Sequence, residues 1–150
     1  MDPLFVANPS ETEIGEALRL WPELAGKRIR PLLVSAFGDI FVETDGGDVW
    51  VASPVELTCE LVAGSVDDLQ RLFSDPAWAE PRLLTAVALL ARDQGVVRPQ
   101  HQVFAIAPHP CFTGSIMAGK LMPMDLTIWH HLVSQIREQA GQQPGVSGQG

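Results

Sequence analysis

Three sets of residues in this chain have types and spacings that invite chemistry. Gly114-Ser-Ile-Met-Ala-Gly119-Lys120 carries the glycines and lysine of a phosphate-binding loop. In such a loop backbone N–H groups cradle the phosphates, the lysine reaches the terminal ones, and a hydroxyl after the lysine binds magnesium. Here the next residue is Leu121, which removes that hydroxyl, and Pro123 interrupts the long helix the loop must open. The two glycines are read instead as turning the chain between two short strands.

His109-Pro-Cys111 and the pair His130-His131 form the second set. Zinc sites pair their ligands at short spacing on both sides of the metal, whereas adjacent histidines on a helix point about 100° apart. One of His130 and His131 must then face the core edge and the other water. Cys111 with His109 or His130 has the makings of a nucleophile and base, but no helix N-terminus or cation is placed to lower the thiol pKa. No catalytic residue, metal or cofactor is expected from this set.

The third set is acidic. Asp39, Glu43, Asp45 and Asp48 gather in and beside one predicted hairpin. Two readings stay open: a patch that faces a basic partner, or a solvated hairpin face whose Asp residues form the turn. Asp67 and Asp68 are explained by a helix N-terminus, where negative charge is favourable. Trp21, Trp50, Trp78 and Trp129 belong to the core by default, with Trp50 and Trp78, next to loops, as candidate interface anchors.

The chain as a whole limits what these sets can serve. A net charge of −8 repels phosphate backbones, which makes nucleic acid a poor ligand. The same charge steers a basic protein inward and also serves solubility. At 150 residues with 46% hydrophobic content, one domain with a real core is expected. No apolar run is long enough to cross a bilayer; that around Leu83–Ala91 has the length of a buried helix. MDPLFVANPSE has no basic n-region and no long apolar stretch, which predicts a cytosolic chain with Cys59 and Cys111 as free thiols.

The elements that position these residues follow from local signals. Ser10-Glu-Thr-Glu13 is a capping box that opens a helix to about Trp21, with Ile14, Leu18 and Trp21 on one face and Pro22 as its break. Lys27, Arg28 and Arg30, ahead of Pro31, are expected as exposed loop charges. From Leu32 to Ala63 the chain reads as sheet: Leu33–Glu43 is rich in β-formers, with Gly38 as a bend or bulge. Asp45-Gly-Gly-Asp48 closes a hairpin from Phe41 to Val51, and Val55–Val62, which alternates only partly, reads as a third strand or as a helix. Ser65-Val-Asp-Asp68 opens a helix that stops at Ser74-Asp75-Pro76. Pro81 then sits in the first turn of a helix over Leu83–Arg92 that Gly95 ends. Val103–Ala107 and Leu121–Met124 are short strands. Asp125 caps a last helix to about Gln139, with Leu126, Trp129, Leu132, Val133 and Ile136 as its apolar stripe. The expectation is a single α+β domain over residues 1–140, a small, mostly antiparallel sheet packed by three to four helices. A flexible tail over 141–150 follows.

This order of elements resembles a bacterial domain family, formerly of unknown function, named for immunity proteins of type VI secretion DNase toxins. The resemblance is carried by Gly38-Asp39-Ile40-Phe41, the hairpin ending in Trp50-Val51-Ala52, and the helices from Ser65 and after Pro81. It is strongest in Pro108-His-Pro-Cys-Phe-Thr-Gly114 and in Met124-Asp-Leu-Thr-Ile-Trp-His130 with Gln135, and it spans about residues 35 to 138. The chain departs from the pattern in its short segment ahead of the sheet and in the one glycine at Gly114 where a Gly-Gly pair is common. Those departures bear on the partner more than on the fold.

The resemblance implies a cytosolic, non-catalytic protein that neutralises a cognate antibacterial toxin, a nuclease among the candidates, by occlusion. An acidic patch that mimics the charge of nucleic acid would block a nuclease and speed association. On that reading the contacts are Asp39, Glu43, Asp45 and Asp48 with Trp50, then Asp75 and Glu80 flanking Trp78. The alternative is a small-molecule-binding or regulatory domain with a pocket between the sheet and the C-terminal helix.

Overall fold

The β-forming run between Ile29 and Ala63 builds the centre of the molecule. A computed structural model of the chain, describing residues 1–142, places four antiparallel strands there and adds a short one from the N-terminal segment, five in chain order. They are β1 (Val6–Ala7), β2 (Ile29–Ser35), β3 (Ile40–Thr44), β4 (Val49–Ser53) and β5 (Thr58–Ala63). The expected hairpin pairs Val42 with Trp50 and Glu43 with Val49, and its turn needs Gly47 at φ 90°, a region closed to most side chains. A second antiparallel sheet joins β6 (Val103–Ala107) to β7 (Lys120–Met124). Its β6 lies against the turn after β2, where Phe104 N–H donates to the Ala36 carbonyl.

Six α-helices complete the α+β domain among the described residues: α1 (Glu11–Leu18), α2 (Val66–Phe73), α3 (Pro76–Leu83), α4 (Thr85–Asp93), α5 (Pro110–Thr113) and α6 (Leu126–Gln142). Ser10 and Ser65 cap α1 and α2 as their spacing predicts, each Oγ accepting from the backbone N–H three residues on. Each such cap stabilises its helix by about 1 kcal/mol.

Strand β3 is apolar on both faces because helices cover both. Ile40 and Val42 join Leu18 and Trp21 at α1 and Leu126, Trp129 and Val133 of α6. Phe41 joins Val49 and Val51 and meets Leu69, Phe73 and Trp78 of α2 and α3. A third cluster packs Phe37, Phe104 and Ile106 against Ala88 and Ala91 of α4. Burial of one such large side chain contributes roughly 2–3 kcal/mol, so the layer order of helix, sheet, helix is set by the two-sided hydrophobicity of the middle strands.

Several boundaries differ from the sequence reading, each for a local reason. Arg30 and Pro31 lie inside β2, not in a loop, because Arg30 pairs with Glu43 across the sheet. The register shifts between Pro31 and Leu33, where proline has no N–H to give. Gly38 belongs to the turn between β2 and β3, and the strand read over Val55–Val62 is β5, which begins at Thr58. The helix expected after Pro81 is two helices. Asp75 accepts from Ala77 N–H and Pro76 occupies the first turn, so α3 starts early and carries Pro81 inside it. Leu84, left-handed at φ 52°, then breaks the chain before α4. Helix α1 stops at Leu18, ahead of a separate 3-10 turn over Pro22–Leu24. The short strand β1 was not expected; Arg98 pins it by donating to the carbonyls of Pro3 and Val6.

Helix α6 runs to Gln142, so the predicted tail begins helical and its remainder lies outside the described residues. In the apolar stripe of α6, Leu132 is 42% exposed and His130, at 0%, is buried in its stead. No helix among the described residues is long and apolar enough to cross a membrane.

Candidate functional site

The turn between β2 and β3 is held from above by α6. Trp129 Nε1 donates to the Phe37 carbonyl at 3.0 Å and His130 Nε2 donates to the Gly38 carbonyl at 2.7 Å. His130 Nδ1 in turn accepts from Trp21 Nε1 at 2.9 Å. Both ring nitrogens are used by the neutral tautomer, and burial pushes the imidazole down to about 4. Gly38 sits at φ 91°, and a β-carbon there would lie 2.8 Å from Trp129 Cδ1. A glycine is required by both the backbone and the ring above it.

This anchored turn delivers Asp39 to the position just ahead of β3. Its N–H donates to Ser35 Oγ and its carbonyl accepts from Ser35 N–H. Because Ile40 pairs with Ala52, Asp39 stands across from Ser53, and alternation puts it on the Phe41 face, under α3. It lines a cleft of about 460 Å³ with Ser53, Glu56 of the β4–β5 turn, Glu60 of β5, and Trp78 and Arg82 of α3. Asp39 is only 4% exposed, and its Oδ1 has no hydrogen-bond partner.

Burial pushes the Asp39 carboxyl up to about 6, against the pull of the Ser53 and Ser35 hydroxyls and the Arg82 charge, with Glu56 adding to the rise. Arg82 does not pair with it. The guanidinium lies over the Trp78 ring, 5.3 Å from its centroid, and none of the ion pairs among the described residues joins Arg82 to Asp39. Trp78 is fixed edge-on against Phe73.

The other acidic residues of the hairpin are placed differently. Glu43 accepts from Arg30 Nε and Nη2. Asp48 accepts from the Thr44 hydroxyl and, at 3.0 Å, from Trp50 Nε1, and these two bonds hold its carboxyl below the usual range. Lys27 Nζ covers Trp50 at 4.9 Å. Asp45 is exposed at the turn, in a shallow depression shared with Arg28 and Arg30. This end of the hairpin is therefore satisfied by its own cations, and a strand length of roughly 15 Å separates it from Asp39.

Asp39 and Trp78, from opposite halves of the predicted set, thus meet in one cleft. Asp75 and Glu80 lie exposed on the helix that walls it, Asp75 as its cap. Glu43, Asp45, Asp48 and Trp50 are elsewhere. Ser53, Glu56, Glu60 and Arg82 were missed. The hairpin register names Ser53 as the neighbour of Asp39, and the four-residue step from Trp78 to Arg82 puts those two on one helix face.

The remaining chemical motifs resolve into packing. Gly114 ends α5 at φ 77°. Gly119 lets the chain pass so near β6 that a β-carbon would lie 2.7 Å from Ile106 Cγ2 and 2.8 Å from the Pro108 carbonyl. Lys120 then opens a strand, not a helix. His109 Nδ1 accepts from Cys111 N–H at 3.0 Å, which leaves the proton on Nε2 to donate to the Pro54 carbonyl at 2.8 Å. His131 and Cys111 are exposed, and burial pushes the Cys59 thiol up to about 12. Among the described residues no three His, Cys, Asp or Glu side chains converge as metal ligands.

The space between sheet and α6 is filled by Trp129, His130 and Val133. A larger groove, of about 980 Å³, runs instead between α1 and the edge of β2. Comparison with protein families, curated proteins and solved structures gives no match to this chain.

Proposed function

We propose that this domain is an immunity protein that binds a basic antibacterial toxin in the cytosol of the producing cell and occludes it. The observation that carries this reading is where the charges stand. Arg30, Arg71, Arg92 and Arg137 are each tied to a carboxylate, and Arg98 is spent on carbonyls. Glu56, Glu60, Asp75 and Glu80 are exposed around the cleft and make none of those ion pairs. Arg82 lies over the Trp78 ring itself, and the four acids leave the face around the half-buried Trp78 net acidic. Such a face attracts a basic protein at an enhanced rate, and an aromatic side chain at its centre is the usual anchor of a protein interface.

The test is co-expression of the chain with the products of neighbouring open reading frames from its source bacterium. One basic, toxic protein should co-purify in stoichiometric amount, and growth should be restored. The reversal Glu56→Lys with Glu60→Lys should weaken that complex more than tenfold. Toxicity unaffected by the chain, with no complex formed, would overturn the proposal. A second reading, a small-ligand domain, draws on the groove beside α1 and requires a ligand-dependent rise in Tm.

A further inference from the structure

We infer that the Asp39 cleft is a receptor for one organic cation, a guanidinium or ammonium group, which completes the pairing of the Asp39 carboxylate. The inference rests on the proposed basic partner only for what carries the cation. The cleft itself can be tested on the chain alone, so that either idea can fail without the other.

The argument begins with Oδ1 of Asp39, which is buried and has no partner. A buried carboxylate oxygen without a donor is costly to keep. Nothing in the local fold demands an acid here, because the backbone of Asp39 is already bonded through Ser35. Asp39 lines a space of about 460 Å³, and a turn of its buried carboxyl would bring an oxygen to a donor placed there.

Charge selects the donor. Asp39, Glu56 and Glu60 face Arg82 across the cleft, which leaves an excess of negative charge and disfavours an anion. The lack of converging ligands among the described residues disfavours a divalent metal, which takes several oxygens at once. A guanidinium or ammonium group needs only one carboxylate, which Asp39 supplies with Glu56 and Glu60 beside it. The wall opposite includes Trp78, whose face already holds the Arg82 guanidinium and shows that a planar cation fits this aromatic.

Two sources share this chemistry: a free amine, and an Arg or Lys side chain of a protein. The experiment is a ¹H–¹⁵N NMR titration of the intact chain with agmatine and, separately, with N-acetyl-arginine methylamide. Amide shifts should move at Gly38–Ile40, Ser53–Thr58 and Ala77–Leu84. Binding by both probes assigns the cleft to a side chain borne on a polypeptide, and binding by agmatine alone assigns it to a free amine.

Asp39→Asn should weaken binding at least tenfold, its own spectrum serving as the control for folding. Arg82→Gln, which removes the competing charge, should strengthen it. The charged groups facing Asp39 are Glu56 from the β4–β5 turn, Glu60 from β5 and Arg82 from α3. With Asp39 titrating at about 6, affinity should fall about tenfold between pH 7.5 and pH 5. Absence of shifts with either probe, or shifts that persist unchanged in Asp39→Asn, would overturn the inference.

Discussion

Replacing Asp39 with Asn should make the folded protein more stable at neutral pH. The carboxyl has an ordinary value of 3.8 and titrates at about 6 in the fold. Between those values the native state holds a proton that the unfolded chain has released. Stability is therefore fully present below the ordinary value, falls as pH rises across the window, and stays lost above about 6. Two units at 1.36 kcal/mol each give a cost of about 3 kcal/mol for the ionised form at pH 7. Asn keeps the shape and never ionises. Urea unfolding should show a gain approaching about 3 kcal/mol at pH 7, or about 6–12 °C in Tm for a chain of this length, and under about 1 kcal/mol at pH 4.

His130 titrates in the same window with the opposite sign. Its ordinary value is 6.5 and burial holds it at about 4, so its contribution is present above 6.5 and lost as pH falls toward about 4. In the native chain the two slopes offset each other over much of that range. In Asp39→Asn only the His130 slope remains of this pair, and stability should rise with pH by up to about 1.4 kcal/mol per unit. A variant no more stable than the parent at pH 7, or one that gains equally at pH 7 and pH 4, would refute the reasoning. It would mean that Arg82 or solvent already compensates the charge.

Two further substitutions probe the anchor of the site. His130→Phe leaves Trp21 Nε1–H and the Gly38 carbonyl without partners and should cost about 2–4 kcal/mol by urea unfolding at pH 7; a loss below about 1 kcal/mol would show that water replaces both bonds. Gly38→Ala must hold a side chain at φ 91° against the Trp129 ring and should cost about 3 kcal/mol, with a change in tryptophan fluorescence. An unshifted spectrum with full stability would mean that the turn relaxes away from α6.

Much of the fold could be read from the sequence because its signals are local. Ser10 and Ser65 announce their helices three residues ahead of the bond they accept, and Asp45-Gly-Gly-Asp48 fixes a hairpin by turn chemistry alone. Where two local signals competed, the reading failed. Asp75-Pro76 and Pro81 both mark a helix start, and the capped one won, which left Pro81 inside α3. Helix geometry puts one of His130 and His131 at the core edge without saying which, and the buried one is His130. Its burial depends on two partners, Trp21 and Gly38, that lie 109 and 92 residues away. No periodicity reports a bond of that span. The cleft was hidden for the same reason, since α3 reaches Asp39 only in the folded chain.

The acidic residues in and beside the hairpin show how a binding residue differs from a structural one of the same type. Glu43 and Asp48 obey every local rule: each carboxylate has its donors, and each stands near a cation. Replacing either removes only a solvent-screened surface interaction. Asp39 breaks the rules. It is an acid at the head of a mostly apolar strand, buried and with Oδ1 short of a donor, in a place where Asn or Ser would fold more easily. Proteins keep such conflicts mainly at sites that do something, because folding alone would select them away. The acid that the fold tolerates least is for that reason the one the proposed function needs most, and a cation that satisfies it would convert its folding cost into affinity.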